Sequence, residues 1–195
     1  FTAGVFAVIL GRLYKIPVVI SEHWSGFQLR KLTLFDRIMA RFAMKRAQKI
    51  IAVSNFTKNK IIDHYGIDPK KVHVVHNAIE FNQNKFPSED FGIRQNNKVV
   101  LFLGRITLQK GPDYFLYAAK RVLEIDPEVR FVIAGSGDMA ASMIEKAAEL
   151  NIADKVLFTG FLRGPDIDRA YQMADLYVMP SVSEPFGLTP LEAMR

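Results

Sequence analysis

Cysteine is missing from all 195 residues. That excludes disulfides and thiolate metal sites and fits a cytoplasmic setting. Long apolar runs are missing too: none approaches the roughly 18 residues that a membrane helix needs, and there is no cleavable signal pattern. His/Cys sets with metal-ligand spacing are absent. No Gly-x-x-x-x-Gly-Lys-[Ser/Thr] run occurs, which excludes a P-loop. Phe1 is not an initiator residue, and Arg195 falls inside a helical pattern. Both ends read as cut, and the chain as a piece of a longer protein.

What is present suffices for a sizeable core. The chain is 49% hydrophobic and 24% charged, which fits one large domain or two small ones. Its net charge of +6 is uneven: residues 1–97 carry 15 Lys/Arg against 7 Asp/Glu, and residues 98–195 carry 11 against 13. A basic first half and a slightly acidic second half suggest two units with different partners.

Thr2 to Tyr14 is apolar and rich in small residues without two-residue alternation, and reads as the tail of a helix. Ile16-Pro17-Val18-Val19-Ile20 reads as a buried strand with its proline at the leading end, where no ladder donor is missed. Ser21-Glu22-His23-Trp24-Ser25-Gly26 follows at the strand's C-terminal end, the edge where open parallel sheets hold ligands. His23 can reach a reacting centre there or bond a loop carbonyl; as a lone histidine it favours the second reading.

Leu32 to Gln48 has helical periodicity. Phe35, Ile38, Met39 and Phe42 form one apolar face, and Arg37, Arg41, Lys45 and Lys49 a basic ridge beside it. Arg30 to Lys60 holds nine Lys/Arg and one acid, Asp36. Such a stretch (residues 30–60) suits an anionic membrane surface, peripheral at the inner face, or is simply a solvated face. A nucleic-acid partner is disfavoured, because Phe35 and Phe42 fall on the apolar face and are not interleaved along the basic ridge. Lys49 to Ser54 is the next strand, with Ser54 capping a helix from Asn55 to Tyr65 and Gly66 stopping it. Asp68-Pro69 turns into the strand Val72 to Val75, and His76-Asn77-Ala78 lies at its C-terminal end. Phe81 to Asn97 loses all periodicity and reads as a linker. The boundary falls near Asn97, giving units 1–96, with the linker from about 81, and 97–195.

The second unit alternates strand and helix, which implies a parallel sheet with right-handed crossovers. Lys98 to Leu103 is a strand, followed by Gly104-Arg105-Ile106-Thr107-Leu108-Gln109-Lys110-Gly111 and a helix from Asp113 to about Glu124. Gly104 permits close backbone approach. Arg105 offers a planar fork for phosphate oxygens and Lys110 a compact second charge. Val129 to Ala134 is a strand, Gly135-Ser136-Gly137-Asp138 a turn, and Met139 to Leu150 a helix. Val156 to Gly160 is a strand with Phe161-Leu162-Arg163-Gly164 as its exit, and Asp166 to Met173 a short helix. Leu176 to Pro180 reads as a buried strand. After it comes Ser183-Glu184-Pro185-Phe186-Gly187-Leu188-Thr189-Pro190-Leu191-Glu192, with a helix starting at about Gly187. Glu184 and Glu192 suit vicinal hydroxyls, but as two isolated glutamates they favour a helix cap and a solvated helical position.

Three features stand in fixed order: Gly104-Arg105-x4-Lys110-Gly111, Phe158-Thr159-Gly160-Phe161-Leu162, and Glu184-x-Phe186-Gly187-Leu188-x3-Glu192. This order resembles the retaining, metal-independent glycosyltransferases of the GT-B fold, the group 1 family also called family 4. Pro17 to His23, Ala52-Val53-Ser54 and the strand ending at Asn77 are similar to the later part of that family's N-terminal domain. The resemblance implies two Rossmann-like parallel-sheet α/β domains, both incomplete here. It implies transfer of a sugar from a nucleotide diphosphate sugar, with no further cofactor and no metal, to a glycan, lipid or small-molecule acceptor. By position, it implies that Arg105 and Lys110 neutralise the diphosphate and that Glu192 holds the ribose. Glu184, beside Phe186 and with the Gly187 and Leu188 N–H groups, would orient the sugar. Gly160-Phe161-Leu162 would face the base, and His23 the reaction centre. Where the family has Asn-Gly after the last N-domain strand, this chain has Asn77-Ala78.

Two alternatives share part of this pattern. A sugar-nucleotide epimerase of GT-B type has the architecture without the pairing of Gly-Arg-x4-Lys-Gly and Glu-x7-Glu. A non-catalytic module would use the basic helix to dock on lipid or a partner.

Overall fold

Segments rich in Val, Ile and Leu pair into two parallel sheets in the computed structural model, which describes residues 2–23, 33–79 and 97–194. The chain divides into two compact units. One comprises Phe1–Ala78 with Ser183–Gly187, the other Ile79–Val182 with Leu188–Arg195. Residues 81–96 of the expected linker, and Trp24-Ser25-Gly26, lie outside the described residues.

In the first unit, α1 (Thr2–Leu13) precedes β1 (Val19–Glu22), α2 (Leu34–Arg46), β2 (Lys49–Ala52), α3 (Asn55–Tyr65) and β3 (Val72–Val74). The sheet order is β1-β2-β3, all parallel, with Ile20 opposite Ile50 and Ile50 opposite Val72. Local chemistry sets the helix ends. Thr33 and Asp36 form a reciprocal capping box on α2. Ser54 accepts from the Thr57 N–H at the start of α3, and Gly66 ends that helix with φ of 58°. Lys71 Nζ donates to the Lys45 and Ala47 carbonyls at 2.7 and 2.9 Å, occupying groups that the end of α2 leaves unpaired. Ile50, Ile61, Tyr65, Ile67 and Val72 form the core with Ala40 and Met44 of α2, Ala47 just after it, and Val8 of α1.

Two sequence expectations change here. The strand expected over Ile16–Ile20 begins only at Val19 and is not buried: it lies at the edge of the sheet, with Val19 53% exposed. The Ile16 N–H is already bonded to the Gly11 carbonyl and Pro17 has no N–H, so the bonds to the neighbouring strand begin at the Val18 carbonyl, which accepts from Gln48 N–H at 2.8 Å. On α2 the core takes Ala40, Ala43 and Met44, while Phe35 and Ile38 stay 68% and 58% exposed. A Cβ on Gly4 of α1 would stand 3.3 Å from the Ala43 Cβ. The helices approach so closely there that only small side chains fit between them.

The second unit runs β4 (Val99–Leu103), α4 (Pro112–Leu123), β5 (Arg130–Ala134), α5 (Ala140–Glu149), β6 (Val156–Gly160), α6 (Pro165–Met173), β7 (Leu176–Tyr177) and α7 (Leu188–Ala193). Its strands are parallel in the order β6-β5-β4-β7. Alternate residues of the strands feed two cores, as parallel strands covered on both faces require. Phe102, Phe131 and Ile133 pack with Phe115 and Leu116 of α4 and Met143 of α5. Val99, Leu101, Val132 and Ala134 pack with Ala170 and Met173 of α6. The buried strand expected over Leu176–Pro180 is shorter and lies at an edge, with Leu176 56% exposed. Val178 still donates to the Leu101 carbonyl, but Pro180 has no donor to extend the ladder. The strand order reverses between β4 and β7, which opens a crevice outside their C-terminal ends.

Candidate active site

Backbone contacts between neighbouring loops fix the path of the Gly104–Gly111 segment. Gly104 N–H donates to the Ala134 carbonyl and Ile106 N–H to the Ser136 carbonyl, both at 2.9 Å; Met139 N–H returns to the Ile106 carbonyl at 3.1 Å. A Cβ on Gly135 would overlap the Gly104 carbonyl oxygen. The Gly135-Ser136-Gly137 turn therefore packs main chain against main chain under the residue that precedes Arg105. Arg105 is exposed and, among the described residues, makes no ion pair. Lys110 is half-buried and ends a one-turn 3-10 helix, Leu108–Lys110. Gly111 then turns left-handed, with φ of 65°, so that Pro112 opens α4.

The exit of β7 runs beside this loop. Val182 N–H donates to the Gln109 carbonyl at 3.0 Å, and any side chain on Gly111 would overlap the Pro180 carbonyl oxygen. The loops after β4 and β7 are thus laced together at the point where strand order reverses, the place at which open α/β sheets hold their ligands.

Glu192 lies on α7, half-buried, and its Oε2 accepts from the Tyr171 hydroxyl of α6 at 2.9 Å. Tyr171 Oη also lies 3.2 Å from the Thr189 carbonyl. Burial, and then the Glu192 carboxylate beside it, push the Tyr171 phenol far above its ordinary range, so it stays a donor. Tyr177 of β7 reaches the same turn: its hydroxyl donates to Thr189 Oγ1 at 2.8 Å, and its ring meets that of Tyr171 edge-on at 5.8 Å. A carboxylate has acceptor sites beyond the one that Tyr171 takes. Sequence reasoning missed both tyrosines. Their signal was weak: two half-buried phenols on a short helix and an edge strand, each needing a partner for its hydroxyl.

Gly160 ends β6 with φ of 72°, and its carbonyl accepts from Gly135 N–H at 2.8 Å. Phe161 is 65% exposed, with the Arg163 guanidinium 5.3 Å from its ring centre. Leu162 instead packs on the Val99–Met173 side of the sheet.

In the first unit His23 follows β1 directly, exposed, with Nε2 2.9 Å from Ser21 Oγ. The Ser183–Gly187 segment clusters with this unit, and the boundary between units falls between Gly187 and Leu188. Glu184 is half-buried, and the Phe186 ring stacks on His76 with centroids 5.5 Å apart and planes 23° from parallel. His76 Nδ1 donates to the Val53 carbonyl at 3.0 Å, which fixes the ring under Phe186. His76 had stood out in the sequence only as a residue at a strand end. Among the described residues no three His, Cys, Asp or Glu side chains gather as a metal-ligand set.

The family description "Glycosyl transferases group 1" matches residues 83–195, and "Glycosyltransferase Family 4" matches residues 1–83. The chain belongs to the group 1 glycosyltransferases. As a group 1 chain it is 37% identical over 155 residues to an uncharacterized glycosyltransferase of Methanocaldococcus jannaschii, covering 75% of this chain and 40% of that protein. It is 28% identical over 204 residues to the UDP-Gal:alpha-D-GlcNAc-diphosphoundecaprenol alpha-1,3-galactosyltransferase of Escherichia coli, covering 97% and 52%. HepE from Anabaena, solved in complex with UDP, superposes with a TM-score of 0.82 at 25% identity, covering 99% of this chain and 55% of that one. The group 1 chain thus spans about half the length of the relatives it matches, and its two parallel-sheet α/β units are of the GT-B type that the resemblance implied.

Proposed function

We propose that the full-length protein moves a sugar from a nucleotide diphosphate sugar to an acceptor hydroxyl, with retention and without a metal. The observation that carries this reading is a pair of cations, Arg105 and Lys110, on a loop laced by its backbone to the exit of β7 at the strand-order reversal.

Breaking the anomeric C–O bond leaves negative charge on the diphosphate and oxocarbenium character on the sugar. Fixed cations stabilise the first more than they stabilise the ground state, because that charge grows as the bond breaks. Arg105 supplies a fork matched to phosphate oxygens and Lys110 a point charge. The N-terminal turn of α4 opens immediately behind them. Glu192, aligned by Tyr171, accepts from the ribose hydroxyls. Glu184, with the Gly187 and Leu188 N–H groups, orients the sugar, and Gly160 and Phe161 face the base. His23 serves the reaction centre. The acceptor attacks on the face that the leaving group vacates, and a departing phosphate oxygen takes its proton. UDP in the HepE complex and UDP-Gal in the name of the Escherichia coli relative support a uridine diphosphate donor. The diphosphoundecaprenol in that name supports a lipid-linked acceptor.

Peripheral membrane attachment through α2 belongs to the same reading. Leu34, Phe35 and Ile38 stand exposed on a helix that also carries Arg37, Arg41 and Lys45, the pairing of apolar and basic surface that suits an anionic bilayer. Among the described residues no helix is long and apolar enough to cross a membrane.

Incubating full-length protein with uridine diphosphate sugars and candidate acceptors tests the reaction. Transfer that needs an acceptor, and that Arg105→Ala lowers at least a hundredfold, supports it. Conversion of the donor alone would favour the epimerase reading, and an unaffected Arg105→Ala variant would remove the proposed diphosphate site.

A further inference from the structure

The first unit holds an open cavity of about 590 Å³ at the N-terminal ends of β1 and β2, the opposite sheet edge from His23 and His76. Among the described residues Arg12, Lys15 and Arg46 line it, with Gln48, and no acidic residue does. We propose that this cavity binds a phosphate-bearing anion, at a site distinct from the donor loop of the second unit.

Four observations build the site. First, the three cations are not needed as helix caps. The α1 carbonyls of Leu10 and Gly11 accept from the Tyr14 and Ile16 N–H groups, and Lys71 closes the end of α2. Second, among the described residues none of the three cations has an ion-pair partner. Like charges lining one hollow repel, and a bound anion relieves that. Third, the backbone is arranged around the hollow. Lys15 sits left-handed, with φ of 58°, at a helix-end position that ordinarily favours glycine. A Cβ on Gly11 would overlap Val18, so glycine lets the Ile16–Val18 wall close onto α1. Fourth, Arg46 is held over the Phe42 ring, 3.8 Å from its centre. A guanidinium carries five N–H donors, and a contact with one ring leaves it donors for phosphate oxygens. The apolar wall formed by Val8, Pro17 and Val18 suits an organic ester rather than a bare ion.

The phosphate has two sources, a soluble phosphate ester or a lipid headgroup, and two arms of one experiment distinguish them. Full-length protein carrying Arg105→Ala, which silences the donor loop, is titrated calorimetrically with inorganic phosphate. It is also sedimented with vesicles of equal parts phosphatidylglycerol and phosphatidylcholine. Arg12→Gln, Lys15→Gln and Arg46→Gln are then added together. A charge-matched control replaces Lys58, Lys60 and Lys70 by Gln. The expected result is at least a tenfold loss in the cavity variant and less than a threefold loss in the control. Loss on the phosphate arm assigns a soluble ester; loss confined to the vesicle arm assigns a headgroup. No loss on either arm, or equal losses in variant and control, overturns the site. In the otherwise unaltered protein the cavity variant leaves transfer to a soluble acceptor within twofold, and a tenfold fall there overturns its independence from the donor loop.

Discussion

The Tyr171 hydroxyl donates to Glu192 Oε2 over 2.9 Å, from one helix of the second unit to another. The carboxylate proposed to hold ribose is therefore held in turn. Tyr171→Phe removes one charge-assisted hydrogen bond, of the order of 1.5 kcal/mol or more. We expect KM for the nucleotide sugar to rise about tenfold in the full-length enzyme with kcat within about threefold, because the contact serves ground state and transition state alike. Glu192→Gln should raise KM further. Steady-state kinetics with the donor varied checks both, and a Tyr171→Phe effect confined to kcat would contradict the assigned role.

Gly111 bears two constraints at once, a left-handed backbone and the Pro180 carbonyl against its Cα. Gly111→Ala should cost about 2–4 kcal/mol of unfolding free energy by combining backbone strain with overpacking. Gly104→Ala also strains its backbone, at φ of 159°, but its Cβ would meet nothing within 4 Å. That substitution should cost about 1 kcal/mol. Denaturant titration compares them, and equal losses would show that the packing against β7 is not what fixes the loop.

The exposed flank of α2 separates stability from surface attachment. Phe35→Ser and Ile38→Ser should change stability by less than about 0.5 kcal/mol, as expected away from the core. Ala43→Leu, which forces bulk between α1 and α2, should cost about 1–3 kcal/mol. The same serine pair should lower sedimentation with phosphatidylglycerol vesicles at least fivefold. Unchanged vesicle binding would remove the membrane role of this helix.

Alkaline pH should unfold the protein earlier than exposed tyrosines would allow. Burial, followed by the Glu22 charge, pushes the Tyr65 phenol above its ordinary value of 10.0; burial, followed by the Glu192 charge, does the same for Tyr171. Below pH 10 both folded and unfolded chains keep these protons, and stability is unaffected. Above it the unfolded chain loses them first, so stability falls as pH rises, by up to about 1.4 kcal/mol per pH unit for each tyrosine. Tyr171 is only half-buried, and water screening makes its share smaller. Urea midpoints between pH 9 and 12 should decline more gently in Tyr65→Phe and Tyr171→Phe than in the unaltered protein.

Much of this architecture was legible because local chemistry and tertiary demand agree. Ser54 and Gly66 bracket α3 in the sequence and in the fold, and the runs around Leu101, Val132 and Leu157 are strands because only a doubly covered sheet accepts them. The face of α2 was harder to read. A periodicity argument weighs Phe35 and Ile38 above Ala40, Ala43 and Ala47, yet close helix approach selects the alanines, and nothing local announces α1 as the neighbour. The glycines at 135 and 137 read in the sequence only as a turn; they admit the Gly104–Ile106 backbone, a long-range contact no spacing reveals. The Tyr171–Glu192 pair spans 21 positions and needs the third dimension to be seen.

The loops proposed to hold phosphate are sewn together from peptide groups by the Gly104, Ile106, Gly135 and Gln109 bonds, and that lacing does not depend on which side chains decorate it. Arg105, Phe161 or the residues near Glu192 can be exchanged without unpicking a single one of those stitches. A frame built that way is free to change its cargo while keeping its shape, so altering sugar preference should be a matter of redecorating the rim rather than rebuilding the fold.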